Sequence, residues 1–451
     1  MFKKILIANR GEIAMRIIRT CKWMNIQTVA IYSEADKDSM HVKHADQAFF
    51  VGGPRVNESY LNIEKILEIA KESNAEAIHP GYGLLSENAD FAKKCDEAEI
   101  KFIGPSPKVI HQMGSKIEAR KAMENAGIPI VPGIAYPLSN ADEAVKIANE
   151  IGYPVMLKAS AGGGGIGMQA VQNNEELQKA FASNQKRATD FFGNGAMYIE
   201  KMIENPRHVE IQILADQFGN TIYLWERECS IQRRHQKIVE EAPSVILDEE
   251  TRFKMGAAAV KAAKSIGYSN AGTMEFLVDS NKNFYFLEMN TRLQVEHPVT
   301  EEISGIDIVE QQIRVAANEA LKLTQSEIQR NGHAIEVRIY AEDPKTFFPS
   351  PGKITNLSLP KGSNIRHELA IEEQSVITPF YDPMIAKLIV KGNNREEAII
   401  KLEDALSKYE INGIKTNIPM LKEVTAHQAF KNGDTTTDFV TKYLQNNSNS
   451  I

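Results

Sequence analysis

Two neighbouring segments, residues 272–278 and 284–290, combine strand-like patterns with acidic side chains at matching positions. Both are rich in aromatic and apolar residues, and the polar run 279–283 between them is typical of a tight turn. A hairpin through that turn places Glu275 beside Glu288. Two adjacent carboxylates repel each other unless a cation lies between them, so the pair predicts a metal site more strongly than either residue alone.

Polar side chains continue at every second position beyond Glu288. Alternation along a strand directs Glu288 and Asn290 to one side. The same side would receive Arg292, Gln294 and Glu296 if the chain stayed extended. Carboxylate and amide oxygens at this spacing suit Mg²⁺, and a guanidinium can hold an anion through two hydrogen bonds. A solvated strand end is the better interpretation for any one of these residues, but five of them on one side favour a binding site.

The first hundred residues alternate between strand-like and helix-like patterns. The predicted strands and helices are 4–9, 11–23, 28–33, 62–71, 77–79, 88–98 and 101–104. Such alternation is typical of a doubly wound parallel sheet. The first turn, Asn9 to Glu12, lacks the spaced glycines of a dinucleotide fingerprint, so a Rossmann-like scaffold without NAD is predicted.

Four consecutive glycines, Gly162 to Gly165, lie between the strand-like segments 154–158 and 168–171. A glycine run allows the backbone to wrap closely around an anion. The run is not a P-loop, because Lys158 precedes the glycines, and it is not a dinucleotide fingerprint, which must open a helix. The pattern indicates a flexible flap that closes over a triphosphate, with Lys158 as a point charge.

Three further segments contain ionisable residues, and two of them have a plain alternative interpretation. Residues 226–237 alternate cations with carboxylates, which usually marks solvated surface. Residues 200–201 would form an exposed ion pair at the end of a strand. Residues 332–340 alternate like a strand whose polar face includes Glu336 and Arg338.

Composition narrows the class of protein. A chain of 451 residues is too long for one compact core, so two to four domains are expected. The net charge of -7 is not typical of a protein that binds nucleic acid or an anionic membrane. No apolar run approaches the length of a transmembrane helix, and three unclustered cysteines fit a reducing compartment. We therefore expect a cytoplasmic protein with no nucleic-acid or membrane partner.

The acidic pair and the polar run together resemble the metal and bicarbonate site of biotin carboxylases, which belong to the ATP-grasp superfamily. The matching residues are Glu275 and the run Glu288-Met-Asn290-Thr-Arg292-Leu-Gln294-Val-Glu296-His. The resemblance covers nearly the whole chain, from Ile7-Ala-Asn-Arg-Gly-Glu-Ile-Ala to about Leu444. Enzymes of this family form the carboxylase component of acetyl-CoA, propionyl-CoA and pyruvate carboxylases.

The resemblance implies an α/β fold in three parts. These are a Rossmann-like N-terminal domain, an ATP-grasp lid and nucleotide domain on a mixed sheet, and a C-terminal α+β domain that completes that sheet. The expected boundaries are residues 1–114, residues 115–330 with a glycine-rich lid at about 131–203, and residues 331–446. Residues 447–451 are expected to form a disordered tail.

The implied activity is ATP- and bicarbonate-dependent carboxylation of biotin through carboxyphosphate. It is the first half-reaction of an enzyme such as acetyl-CoA carboxylase, in fatty acid biosynthesis. The alternative is the separate biotin carboxylase chain of a pyruvate carboxylase. Another ATP-grasp ligase is less favoured, because it has no evident need for the run Arg292 to Glu296 together with Arg338.

The implied cofactors and substrates are ATP, Mg²⁺ or Mn²⁺, bicarbonate and carrier-bound biotin. The implied partners are a biotin carboxyl carrier protein, a carboxyltransferase component and a second copy of the chain in a homodimer. The sequence contains no Met-Lys-Met biotinylation segment, so we expect a separate chain to present biotin.

The resemblance also implies a role for individual residues. The metal ligands would be Glu275, Glu288 and Asn290. The catalytic set would be Glu296 as base, Arg338 at the biotin ureido oxygen, and Arg292 and Lys237 at bicarbonate, with Gln294 and the Val295 amide beside them. The implied nucleotide contacts are Lys116, Lys158, Gly163, Gly164, Gly165, Met168, Glu200, Lys201, Ile203, His208, Gln232, His235 and Leu277. The chain departs from the family at Ile166 and Gln169, where arginines are common, so we expect the flap to contact phosphate through its backbone.

Overall fold

The N-terminal region of this computed structural model is a five-stranded sheet flanked by helices. The structure describes residues 1–134, 136–161 and 167–445. The first elements are β1 (Lys4–Ile7), α1 (Gly11–Trp23), β2 (Gln27–Ser33), α2 (Met40–His44), β3 (Gln47–Gly52), α3 (Ile63–Glu72), β4 (Ala77–His79), α4 (Ala89–Glu97) and β5 (Lys101–Phe102). The strands lie in the order β3-β2-β1-β4-β5 and every pair is parallel, which confirms the predicted Rossmann-like sheet.

The alternation pattern does not reveal α2 and β3. Strand β3 forms the edge of the sheet, and only Val51 among its residues is buried. A half-exposed edge strand lacks the continuous apolar run that marks the central strands of a parallel sheet. The turn from β1 into α1 depends on Gly11, whose φ of +65° is readily adopted by glycine.

A second region contains a small antiparallel sheet covered by two helices. Its elements are α5 (Pro107–Gly114), α6 (Lys116–Asn125), α7 (Ala141–Ile151), β6 (Val155–Ala159), β7 (Met168–Val171), α8 (Asn174–Phe192) and β8 (Met197–Lys201). The order is β7-β6-β8, and α7 and α8 pack on this sheet. The predicted strands on both sides of the glycine run are therefore confirmed. The glycines Gly163, Gly164 and Gly165, together with Ile166, lie outside the described residues, as does the predicted tail 447–451.

The third region is a large sheet that spans the rest of the chain. Its elements are β9 (Arg207–Ala215), β10 (Thr221–Arg233), β11 (Gln236–Ala242), α9 (Glu249–Ser265), β12 (Asn270–Val278), β13 (Phe284–Asn290), α10 (His297–Ser304), α11 (Ile308–Ala316) and β14 (His333–Tyr340). They are followed by β15 (Gly352–Lys353), β16 (Asn356–Ser358), β17 (Ile365–Leu369), β18 (Val376–Ile377), β19 (Met384–Gly392), α12 (Arg395–Lys408), β20 (Glu410–Asn412), α13 (Ile418–Ala426) and α14 (Gln428–Asn432).

The eight strands of the large sheet lie in the order β13-β12-β9-β10-β11-β14-β19-β17. All its pairs are antiparallel, so the expectation of a mixed sheet is wrong. Both faces are covered: Ile211 and Ile213 pack with α9, whereas Leu214 packs with α1 and α11 on the opposite face. Strands β14, β19 and β17 come from the C-terminal part of the chain, which completes the sheet as expected.

One sequence interpretation of a strand in this sheet needs correction. The aromatic and apolar residues 284–287 are typical of a buried strand, but β13 is the sheet edge and only Phe286 among them is buried. Strand β14 is buried along its whole length, including Glu336 and Arg338 on its polar face. A period of two shows which residues share a face, but it does not show what covers that face. Among the described helices, none is long and apolar enough to cross a bilayer.

Candidate active site

A cavity of about 650 Å³ opens where the N-terminal sheet, the large sheet and the C-terminal strands meet. Its volume is within the range of small-molecule sites. The predicted site residues that line it are Lys116, Lys158, Met168, His208, Gln232, His235, Lys237, Glu275, Glu288, Asn290, Arg292, Gln294, Val295 and Arg338. The other described residues of the predicted set, outside the cavity wall, are Glu200, Lys201, Ile203, Leu277 and Glu296.

The hairpin of β12 and β13 places two of the three predicted metal ligands side by side. Glu275 and Glu288 are register partners, and the turn closes with the Asp279 N–H donating to the Asn283 carbonyl at 2.9 Å. Glu275 is buried, whereas the Glu288 side chain is 39% exposed and lies 3.7 Å from Lys116 Nζ. The predicted hairpin is thus confirmed, with one carboxylate in the wall and one open to the cavity.

The chain does not stay extended beyond Asn290, so that part of the alternation argument is wrong. Strand β13 ends there, and α10 begins at His297. The residues converge nevertheless, because the loop folds back on the strand. Arg292 donates to Asn290 Oδ1 at 2.9 Å and to Gln294 Oε1 at 3.0 Å. The amides of Asn290 and Gln294 both donate to Glu275 Oε1, at 2.8 and 3.1 Å.

Lys237 lies at the centre of the site and contacts three carboxylates. Its Nζ is 2.6 Å from Glu210 Oε2, 2.9 Å from Glu275 Oε1 and 2.6 Å from Glu296 Oε1. Burial alone would lower the pKa of Lys237, but the three carboxylates outweigh it and raise the pKa well above the ordinary lysine value. The ammonium is therefore a permanent positive charge in the wall of the cavity.

Glu296 is fully buried and lies between two cations. Its Oε1 accepts from Lys237, and its Oε2 accepts from Arg338 Nη2 at 3.0 Å. Burial alone would raise the pKa of Glu296, but Lys237 and Arg338 outweigh it and bring the pKa well below the usual range. The carboxylate is therefore ionised at neutral pH.

Arg338 links this carboxylate to a second one. Its Nε donates to Glu240 Oε1 at 2.6 Å, so the guanidinium lies between Glu240 and Glu296. Burial raises the pKa of Glu240 to about 7, against the opposing effect of Arg338. The guanidinium is held in one plane by two partners while it lines the cavity, which suits a fixed hydrogen-bond donor.

The residues predicted to contact the nucleotide include members of a buried cluster of charged side chains. Lys158 and Arg120 both contact the Glu200 carboxylate, with Arg120 Nη1 at 3.1 Å from Glu200 Oε2. The alternative of an exposed ion pair at residues 200–201 is wrong, because Glu200 is only 5% exposed. The Lys201 ammonium donates instead to the carbonyls of Gly152 and Tyr153 at 2.9 and 3.0 Å.

Charged residues of segment 226–237 are largely buried, so the solvated-surface interpretation is wrong as well. Gln232 Nε2 lies 2.9 Å from His208 Nδ1, and His208 Nε2 lies 2.9 Å from Glu275 Oε2. Gln232 as donor requires the His208 tautomer with its proton on Nε2, facing Glu275. His235 is exposed at the rim, in a two-residue turn where its φ is +65°.

One of the two departures from the family and two further predicted contacts can now be located. Gln169 on β7 accepts a hydrogen bond from Asn184 Nδ2 at 2.7 Å, so its side chain is engaged with α8. Leu277 is half-buried on β12 and pairs in register with His208 on β9. Ile203, just beyond β8, is half-buried. Their proposed contacts with nucleotide stay predictions.

Known protein families match almost the full length of the chain. Residues 1–110 match the biotin carboxylase N-terminal domain, and residues 336–442 match the biotin carboxylase C-terminal domain. Residues 115–324 match the ATP-binding domain of the carbamoyl-phosphate synthase L chain. The chain belongs to the biotin carboxylase family.

Individual biotin carboxylases are similar over their whole length. The chain is 65% identical over 444 residues to biotin carboxylase 2 of Bacillus subtilis, covering 98% of this chain and 100% of that protein. It is 52% identical over 448 residues to the 2-oxoglutarate carboxylase small subunit of Hydrogenobacter thermophilus, covering 99% and 93%. The biotin carboxylase domain dimer of that 2-oxoglutarate carboxylase, solved with MgADP, ADP and bicarbonate, superposes with a TM-score of 0.95 at 52% identity, covering 98% of each chain.

The structure also brings residues to the site that sequence reasoning missed. Glu210 is fully buried and contacts both Lys237 and Arg227, whose Nε is 2.5 Å away. Glu87 accepts from Arg292 Nε at 2.9 Å and so holds the loop after β13. Glu210 was detectable, since His208, Glu210 and Gln212 alternate with apolar residues in one strand. Glu87 gave no such signal, because it lies in a loop far away in sequence.

Proposed function

We propose that this protein carboxylates biotin, with bicarbonate as the source of carbon and ATP as the source of energy. The observation that supports this most directly is the position of Glu296. It is an ionised carboxylate between the cations of Lys237 and Arg338, beside a cavity that also contains the Glu275–Glu288 pair. Such an arrangement combines a base, an anion-binding cation and a separate donor for a second substrate.

The residues present fit a divalent cation. Glu275 and Glu288 are cross-strand neighbours, and Asn290 lies two residues beyond Glu288, so the three offer hard oxygen ligands suited to Mg²⁺ or Mn²⁺. When bound, the ion would neutralise charge on the phosphates of ATP. Lys116 and Lys158 also line the cavity and would serve as additional cations for these phosphates.

The further nucleotide contacts are assigned by similarity. We propose that Glu200 and the backbone at Lys201 and Ile203 bind the adenine edge. The remaining contacts would be Met168, His208, Gln232, His235 and Leu277.

Bicarbonate would occupy the region between Arg292 and Lys237. Arg292, Gln294 and the Val295 N–H would orient the anion, and Lys237 would compensate its charge. Glu296 would accept the bicarbonate proton, so that a bicarbonate oxygen attacks the γ-phosphorus and the bond to ADP breaks. The products of this step are carboxyphosphate and ADP.

Biotin would react in the second step. Carboxyphosphate breaks down to CO₂ and phosphate, and the released phosphate takes the proton that Glu296 had accepted from bicarbonate. The biotin ureido nitrogen then loses its proton as it attacks CO₂. We assign Glu296 as the base of this step as well, and Arg338 as the donor that stabilises negative charge on the ureido oxygen. Arg338 cannot act as a base, because its guanidinium stays charged.

We further propose that the protein works as one component of a carboxylase with several chains. A biotin carboxyl carrier protein would present biotin, a carboxyltransferase would consume carboxybiotin, and two copies of the chain would form a homodimer. Support comes from relatives, one of them the small subunit of 2-oxoglutarate carboxylase and another a biotin carboxylase domain dimer.

The experiment that tests the function measures ADP release with biotin and bicarbonate omitted in turn. We expect ADP release to require bicarbonate and Mg²⁺, and carboxybiotin to form only when biotin is also present. ADP release that is indifferent to bicarbonate would contradict the proposal and would favour another ATP-dependent ligase.

A further inference from the structure

One buried lysine connects the N-terminal region with the large sheet beneath the site. Lys387 lies on β19 and is fully buried. Its Nζ donates to the Val295 carbonyl at 2.7 Å and lies 3.3 Å from Glu12 Oε2 in the first turn of α1. A single ammonium from the C-terminal region therefore contacts the loop after β13 and the N-terminal region at once.

The surroundings of Lys387 are polar although they are buried. Lys387 is the register partner of Arg338 on β14, so the two side chains share one face of the large sheet. Glu336 lies two residues before Arg338 on that face, and Glu240 is its register partner on β11. Both oxygens of Glu336 and both of Glu12 are buried without a hydrogen-bond donor among the described residues.

This face holds more carboxyl groups than cations, and burial decides which carboxyls stay charged. Burial raises the pKa of Glu336 well above the ordinary value, against the opposing effect of Lys387. Burial raises the pKa of Glu12 as well, against the opposing effect of the Lys387 ammonium, which lies 3.3 Å from Glu12 Oε2. A buried ion pair is costly unless further hydrogen bonds satisfy the charged groups, and the Val295 carbonyl provides such a bond to Lys387.

The Val295 carbonyl belongs to the planar peptide unit that joins Val295 to Glu296. A donor fixed on this carbonyl fixes the Cα atoms of both residues. Those two residues provide the N–H proposed for bicarbonate and the proposed base.

We infer that Lys387 is a positioning residue for the bicarbonate step: its ammonium, held by Glu12, fixes the Val295–Glu296 peptide in the orientation that bicarbonate requires. The inference rests on the proposed function. Lys387 touches neither substrate, so its effect acts through the loop. The affinity for ATP is not affected, because other elements would bind ATP.

The test uses the full-length protein with the double substitution Lys387→Met and Glu12→Gln, which removes both members of the ion pair and avoids a lone buried charge. We expect the KM for bicarbonate to rise roughly tenfold to a hundredfold, as for a misplaced reacting group. The Kd for ATP, titrated without bicarbonate, should stay within about twofold, since the nucleotide contacts are untouched. Lys387→Arg retains a donor and should give a bicarbonate KM closer to that of the wild type.

Lys391→Met is a matched control. Lys391 lies on the same strand and also donates to a backbone carbonyl, that of Glu302 in α10, but away from the cavity. Its bicarbonate KM should equal that of the wild type.

Three results would overturn the inference: an unchanged bicarbonate KM in the double variant, a proportional loss of ATP affinity, or an equal effect of Lys391→Met. If the wild type itself releases no ADP in response to bicarbonate, the proposed function is wrong and the inference with it.

Discussion

At the scale of single residues, the site is organised by cations that each hold more than one carboxylate. Lys237 contacts three, and Arg338 contacts two, one of which they share in Glu296. Removing either cation therefore leaves buried carboxylates without compensation. Substitutions at these positions will change both the chemistry and the stability of the fold, and the two effects must be measured separately.

Arg338→Ser is expected to separate the two half-reactions. Biotin-independent ATP cleavage should be largely retained, because Lys237 still holds Glu296 in its ionised form. Carboxybiotin formation should fall roughly tenfold to a thousandfold, the range for removing one charge-stabilising donor. Glu296→Ala should lower both rates, since the base is needed before carboxyphosphate exists. Phosphate release and carboxybiotin are measured in parallel, and an equal loss of both in Arg338→Ser would contradict this division of roles.

Lys237→Gln is expected to raise the concentration of bicarbonate that the reaction requires. It should also lower the free energy of unfolding by about 3–5 kcal/mol, because three carboxylates lose their shared cation. Adding Glu210→Gln removes one of those carboxylates. The double variant should recover part of the stability in a denaturant titration, but none of the affinity for bicarbonate. Unchanged bicarbonate dependence and rate in Lys237→Gln would exclude Lys237 from the site.

At the scale of secondary-structure elements, sequence patterns predicted the helices and strands that depend on local periodicity. Helix α1 and the β12–β13 hairpin follow from apolar periodicity and turn composition, and the structure has both. The path beyond Asn290 was not predictable, since Glu87 holds that loop from about two hundred residues away. The burial of β14 likewise depends on helices α10 and α12, which pack on it, and not on its own pattern.

The start of α12 provides a pH-dependent prediction. Arg395, its first residue, contacts Glu241 on β11 at 2.7 Å, and His333 on β14 lies 2.7 Å from the same carboxylate. Burial alone would raise the pKa of Glu241, but His333 and Arg395 outweigh it and lower the pKa to about 2. The stabilisation is therefore present above the unfolded pKa near 4.5 and is lost as the pH falls towards 2.

In the wild type this loss should amount to about 3 kcal/mol between pH 5 and pH 2. Glu241→Gln has no carboxyl to titrate, so its free energy of unfolding should fall by about that much less over the same interval. Urea titrations at several pH values measure the difference. Parallel pH curves for the two proteins would show that Glu241 does not contribute to acid stability.

At the scale of the whole molecule, one cavity has walls from every region of the chain. The turn after β1, helix α6, strands β9 to β14 and residues 380–384 all contribute to it. Ligands that bridge these walls stabilise the folded state as a whole, because they bind it and not the unfolded chain.

MgADP at about a hundred times its Kd is accordingly expected to stabilise the fold by about 2.7 kcal/mol. Chelation of the metal should reduce the shift in melting temperature. The double substitution Glu275→Gln and Glu288→Gln should remove the metal-dependent part and lower turnover by roughly tenfold or more. Undiminished ATPase activity in that variant would contradict the metal assignment.

The strand order of the large sheet also has a consequence for biosynthesis. Strand β11 ends at Ala242, but its neighbour β14 begins only at His333, and β19 ends at Gly392. At about 5–20 residues per second, a ribosome needs roughly 8–30 s to complete these partners after β11 has been made. During that interval the nascent chain exposes an unpaired strand edge, which is a template for aggregation. Chains that terminate prematurely before β14 should therefore accumulate as insoluble fragments, whereas chains that extend through β19 pair this edge with β14 and β19.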